Sequence, residues 1–184
     1  MLITHDREKL LNAIVYFARN TLYCGVTKLI KLFFLLDFEH YKQTGRSVTG
    51  LEYEAWWKGP VPPPLWYEIH DPKPDFAQHV KFRTVPAGKH ERDEAIPLVE
   101  FDPSHFTKRE LRLLEQIANE YRFKNSDQMV DVTHAENGVW DKVYKDGEGQ
   151  NEVIPYELVL EGQDDRDVVL EKSKESKEVR ENFS

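Results

Sequence analysis

The chain has 184 residues, of which 40% are hydrophobic and 12% aromatic, so it favours one domain with material for a sizeable core. Charged residues make up 32% and the formal net charge is −8, which forgoes the counterion release behind nucleic-acid affinity and makes a basic protein the better-matched partner. Cys24 is the one cysteine, which excludes an intrachain disulfide or a cysteine-rich zinc site, and the apolar run Leu29 to Leu36 is too short for a membrane span; without a basic-then-apolar leader pattern the chain reads as cytoplasmic.

Asp6 to Asn20 reads as a first helix, with Leu10, Leu11, Ile14, Val15, Phe17 and Ala18 on one apolar face. Gly25 interrupts, and Thr27 is placed as the N-cap of a second helix that runs to about Gln43 and ends at Gly45. Apolar residues cover nearly every direction around this helix, so it is expected at the centre of the fold, packed on several sides. Leu51 to Lys58 reads as a short strand. The run Gly59 to Pro64 must be extended or turning, because each proline restricts the residue before it. Leu65 to His70 then reads as a helical turn or short helix, and Asp71 to Asp75 as a loop. Val80 to Val85 and Ile96 to Phe101 read as two strands, with a hairpin loop from Pro86 to Glu94 between them.

Thr107-Lys108-Arg109-Glu110 is a capping box, with Phe106 and Leu111 spaced for a hydrophobic staple. Leu111, Leu114, Ile117, Ala118 and Tyr121 give the buried face of the helix it opens. Ser126 is expected to cap a further helix to about His134. A short turn at Trp140 and Tyr144, a loop at Gly147 and Gly149, and a strand or extended segment from Ile154 to Glu161 complete a domain of residues 1–162. Residues 163–184 differ in kind: charge signs alternate, and Lys174/Glu178 and Lys177/Glu181 stand four apart in the weaker, cation-first order. This tail reads as a solvated helix or a disordered segment. The whole is an α+β fold, a helical layer around the central helix at about 27–43 packed on a small antiparallel sheet.

Several constellations bear on chemistry. Asp37-Phe38-Glu39-His40 and Asp131-Val132-Thr133-His134 each set a carboxylate and an imidazole three residues apart. Carboxylate-bridged di-metal bundles use that spacing, but with Glu and with two further Glu-bearing helices, so local hydrogen bonding is the plainer account. His134-Ala135-Glu136 lacks the later cysteine pair of a zinc deaminase. His90 to Glu94 has a carboxylate where a zincin needs its second histidine, and Gly45 to Thr49 lacks the last glycine of a nucleophile elbow. Cys24 with His5, His40 or His134 as base is a conceivable nucleophile, set against a small buried hydrophobe. No catalytic, cofactor-binding or metal-binding residue is therefore assigned. The first two helices could make a helix-turn-helix, but a recognition helix needs a polar face that the second does not have, and Lys28, Lys31, Arg46 and Lys58 form only a modest basic cluster.

Three of the four tryptophans, Trp56, Trp57 and Trp66, lie close together. Neighbours on a strand point to opposite faces, so one of Trp56 and Trp57 is expected in the core and the other outward. An outward Trp57 beside Lys58, with Trp66 near, is the kind of anchor that dominates protein interfaces. These three are the candidate partner-binding residues; the alternative is that the rings are covered within the fold.

At these residues the chain resembles a known family, the Panacea domain, also called the SocA-like antitoxin domain and formerly a domain of unknown function in phage-associated proteins. The likeness begins at Lys28-Leu29-Ile30-Lys31-Leu32-Phe33-Phe34-Leu35-Leu36-Asp37-Phe38-Glu39-His40. It continues through Thr44-Gly45-Arg46-Ser47-Val48-Thr49-Gly50-Leu51-Glu52-Tyr53-Glu54-Ala55-Trp56 and Lys58-Gly59-Pro60-Val61-Pro62. It resumes at Thr133-His134, Trp140 and Ile154-Pro155-Tyr156-Glu157-Leu158, and covers roughly residues 5 to 162. Trp57 and the triple proline Pro62-Pro63-Pro64 depart from the pattern. The resemblance implies the antitoxin of a type II toxin–antitoxin system, which neutralises a cognate, translation-inhibiting toxin by direct protein binding. Its alternatives are an adaptor that delivers the toxin to a Clp-type protease and, from another class, a DNA-binding autorepressor. It supplies no catalytic residues. A domain that serves many toxins should keep its motif for structure and place its contacts elsewhere.

Overall fold

The computed structural model describes residues 4–135 and 138–183. Helices α1 (Asp6–Asn20) and α2 (Val26–Thr44) open the chain. In α2 every position from Lys28 to Tyr41 is buried except Glu39, and α2 touches most of the other elements. A helix apolar all round can only be stable inside, so it becomes the axis of the molecule. Its start lies at Gly25, not Thr27. Gly25 is extended and bridges Glu94 of a later strand, so sheet pairing ends where the helix begins and Thr27 falls inside the first turn. At the other end Gly45 closes α2 in the left-handed conformation (φ 74°), and its N–H bonds the Tyr41 carbonyl at 2.7 Å. A Cβ there would stand 2.7 Å from the Val169 carbonyl, so glycine also admits the close approach of the C-terminal helix.

Strands β1 (Glu54–Trp56) and β2 (Gly59–Val61) make a hairpin whose two-residue turn is Trp57-Lys58. The expected strand is thus shorter, and the glycine-proline run supplies its partner. Tyr53 and Ala55 face the core, Trp56 is half-buried and Trp57 is exposed. Neither tryptophan enters the core, because the inward positions here belong to Tyr53, just before β1, and to Ala55. Pro62 leads into α3 (Pro63–His70), which starts with two prolines in the first turn, where no N–H is needed. The expected loop holds for residues 71–73, and its last two residues open α4 (Pro74–His79), a single short helix that buries Phe76.

A second hairpin pairs β3 (Val80–Ala87) with β4 (His90–Pro97), from Val80 opposite Pro97 to Ala87 opposite His90. Residues 86–94 are therefore mostly strand, with only Gly88-Lys89 as the turn, and the strand expected at 96–101 stops at Pro97. The hairpin projects beyond the core and buries only Val80 and Ala95 fully, so its outer half carries no apolar alternation. The fold is α+β as expected, with two small antiparallel sheets among the described residues in place of a single one.

Helix α5 (Lys108–Glu120) forms the capping box: Glu110 N–H donates to Thr107 Oγ1 at 3.2 Å and Thr107 N–H to Glu110 Oε2 at 2.7 Å. Its buried face uses Leu113 beside Leu114, Ile117 and Ala118, while Leu111 is only half-buried. Helix α6 (Ser126–Ala135) is capped by Asn125, whose Oδ1 accepts from Gln128 N–H at 3.0 Å, and not by Ser126, which lies in the first turn. Helix α7 (Val139–Tyr144) and a 3₁₀ turn (Lys145–Gly147) follow. The strand expected at Ile154 to Glu161 is absent. Val153 bridges Glu54, and after Pro155 the chain coils into a 3₁₀ helix (Tyr156–Leu160). Helix α8 (Arg166–Phe183) runs back over α2. It buries Val169 and Ser173, takes the Tyr41 hydroxyl on Ser173 at 2.9 Å, and pairs Lys177 with Glu157 and Arg180 with Asp6.

Candidate partner-binding surface

The charged and histidine residues buried within α2, Lys28, Lys31, Asp37 and His40, face inward and each fastens another segment. Lys28 Nζ donates to the carbonyls of Leu22, Tyr121, Arg122 and Lys124 at 2.6–3.0 Å. It thereby caps the C-terminal end of α5, where unpaired carbonyls gather and a cation is favoured. Burial lowers the ammonium to about 8, and it stays charged at neutral pH. Lys31 Nζ, also buried, donates to the Pro60 carbonyl at 2.8 Å, and burial lowers it to about 7. Gly59 makes room for it, since a Cβ there would stand 2.9 Å from Lys31 Nζ.

Asp37 accepts four hydrogen bonds, from Val48 N–H, Thr49 N–H, Thr49 Oγ1 and Tyr53 Oη, at 2.5–2.9 Å. Burial nevertheless pushes its carboxyl up to about 6. His40 Nδ1 meets the Arg46 carbonyl at 2.6 Å. Asp37 and His40 are therefore spent on the loop after α2, and His134 stacks on Trp140 with centroids 3.8 Å apart. Among the described residues no group of three His, Cys, Asp or Glu side chains is placed to hold a metal ion. The Cys24 thiol is buried and pushed up to about 11 by desolvation, and the groups acting on it are Thr21, Lys28, Glu94 and Arg92. Of the basic cluster, Lys28 and Lys31 are inside and only Arg46 and Lys58 reach solvent. No described helix is long and apolar enough to cross a membrane.

The same inward residues grip the β1–β2 hairpin on both sides of its turn. Trp140 Nε1 donates to the Trp56 carbonyl at 2.9 Å, and Lys31 holds the Pro60 carbonyl. The turn between them stands outside: Trp57 is 63% exposed, with Lys58 Nζ 4.6 Å from its ring centroid. Trp66 is half-buried, tilted against Trp56 at 5.6 Å and edge-on to Tyr67 at 5.3 Å. The three residues singled out from sequence thus lie on one aromatic surface. Sequence reasoning missed Tyr67, 61% exposed, and Val153, 45% exposed. Tyr67 was legible as the next ring after Trp66, but Val153 joins only through its pairing with β1. Beyond Lys58 and Trp66 lies a cleft of about 950 Å³, walled also by Tyr23, Phe123 and the tip of β4.

The family model described as "Antitoxin SocA-like, Panacea domain" matches residues 29–141, more than half of the chain. No curated protein and no solved structure matches it.

Proposed function

The chain belongs to the family of SocA-like antitoxins built on the Panacea domain, and on that premise we propose that it neutralises a cognate toxin by binding it directly through the Trp57-Lys58 turn and the adjoining rings. The observation that carries this reading is the anchoring of the turn. Both flanking carbonyls, Trp56 and Pro60, are held by side chains from the core, so the turn is rigid before any partner arrives and little ordering entropy is lost on binding. The buried polar residues of α2, Lys28, Lys31 and Asp37, are spent on contacts inside the fold, which leaves the exterior free to be matched to one partner. Exposed tryptophan and tyrosine are the side chains that most often dominate an interface. The net charge of −8 favours a toxin whose covered surface is basic, of the kind that engages tRNA or the ribosome.

The test is genetic and then physical. The product of the adjacent open reading frame should stop growth when expressed alone and be harmless when this protein is present. The purified pair should elute as one complex. Harmless expression of the neighbour on its own, or neutralisation without any complex, would refute direct binding of a cognate toxin.

A further inference from the structure

Between the turn and α3 lies a small groove of about 370 Å³, lined by Glu54, Trp56, Trp57, Tyr67, Gln150 and Asn151. We infer that this groove is a socket for an arginine side chain presented by a protein partner, an inference that rests on the antitoxin reading and names the chemistry of its contact. The walls are π faces and edges: Trp57 and Tyr67 are the two most open large rings on this side of the fold, and Trp56 joins them through Trp66. Electron-rich ring faces attract cations. The Trp57 ring already does so within the chain, with Lys58 Nζ over it.

The lining also carries a carboxylate. Glu54 Oε2 accepts the Trp56 indole N–H at 2.9 Å, which fixes its orientation, while Oε1 accepts from no donor among the described residues. Glu54 pairs across the bridge with exposed Val153, and exposed Glu52 and Glu152 flank it along the two segments. The lining thus holds one carboxylate and no cation, and that charge balance selects a basic occupant. A guanidinium fits better than an ammonium. It is flat enough to stack on indole and phenol rings, it presents a fork of N–H donors to a carboxylate, and it is shed from water more cheaply.

The experiment titrates the full-length protein with three probes, hexa-arginine, hexa-lysine and hexa-glutamate peptides, and reads tryptophan fluorescence and heat. Hexa-arginine should bind more tightly than hexa-lysine, and hexa-glutamate not at all. Trp57→Ala should weaken hexa-arginine binding about tenfold, and Glu54→Gln should weaken it by a smaller factor. Glu120→Gln, an exposed charge on α5, should leave it unchanged. Matched circular dichroism melts establish that the variants fold. Equal binding by wild type, Trp57→Ala and Glu54→Gln would overturn the socket. So would an equal loss in Glu120→Gln, since the attraction would then be diffuse. A toxin neutralised equally well by wild type and Trp57→Ala would sink the socket and spare the antitoxin reading. Failure of the wild type to neutralise would sink the antitoxin reading, and the peptide titration would still decide the socket.

Discussion

The Tyr53 hydroxyl donates to Asp37 across 2.7 Å in the closed core, which ties α2 to the strand that carries Trp56. Burial holds the Asp37 carboxyl at about 6, above its ordinary 3.8. The folded state therefore binds this proton more tightly than the unfolded chain does. The resulting stability is fully present below about pH 4 and is lost as pH rises through about 6, by up to about 3 kcal/mol. Urea midpoints measured from pH 4 to 7 for wild type and Asp37→Asn should diverge, with the falling component present only in the wild type. Parallel curves would place the titration elsewhere.

Lys28 and Lys31 sit one turn apart in α2, and their substitutions should behave differently. Lys28 donates to the Leu22 carbonyl and to three carbonyls at the end of α5; those of Tyr121 and Arg122 also accept backbone N–H groups, so Lys28→Met removes the donor from the Leu22 and Lys124 carbonyls and should cost about 2–4 kcal/mol. Lys31 donates to one carbonyl and is held at about 7, so it is half neutral in ordinary buffer. Methionine of similar length leaves that single carbonyl without its lysine donor and should cost about 1 kcal/mol, less than Lys28→Met. Chemical denaturation of the pair checks this, and equal losses would contradict the assignment of α5 capping to Lys28.

Phe34 is 2% exposed and packs on Phe38 at 4.3 Å and Tyr53 at 5.6 Å. Phe34→Ala should cost about 3–5 kcal/mol, through lost transfer energy and the cavity left behind. A denaturation midpoint near the wild-type value would mean that α2 is not the axis of the core.

What the sequence disclosed depended on how far apart the interacting groups lie. The all-round apolar pattern of α2 and the Thr107–Glu110 box are local, and both were legible. The charged residues inside that pattern, Lys28, Lys31 and Asp37, were visible as anomalies, but their partners were not. The Tyr121 carbonyl lies 93 positions from Lys28, and no periodicity links them. The outer half of the β3–β4 hairpin carries polar side chains on both faces, so alternation could not mark it, and α4 is too short for helical period to register. Trp57 beside Lys58 was legible as an outward anchor, but both were read as the end of a strand with the reversal in Gly59 to Pro64, a run whose first residues pair instead as β2. The groove beside them was not legible, because Asn151 and Val153 reach β1 only in three dimensions.

The C-terminal helix gives the sharpest division between a blocker and an adaptor. Val169 and Ser173 of α8 cover Tyr41, and the Lys177–Glu157 and Arg180–Asp6 pairs hold the helix down. Those pairs are partly solvated and count for little. The buried valine and the Tyr41–Ser173 bond should contribute about 2–4 kcal/mol between them. Deleting residues 163–184 should therefore lower the melting temperature and leave a folded protein. The anchors of the Trp57 turn, Lys31 and Trp140, lie on other elements. A blocker should thus still neutralise its toxin after the deletion, at a temperature where the shortened chain is folded. An adaptor would lose neutralisation while keeping toxin binding, because the exposed Val168, Val179 and Phe183 of α8 would no longer be present to engage a Clp-type protease. Pull-down and growth assays on the same truncated chain separate the two, and binding without neutralisation would replace direct occlusion by delivery.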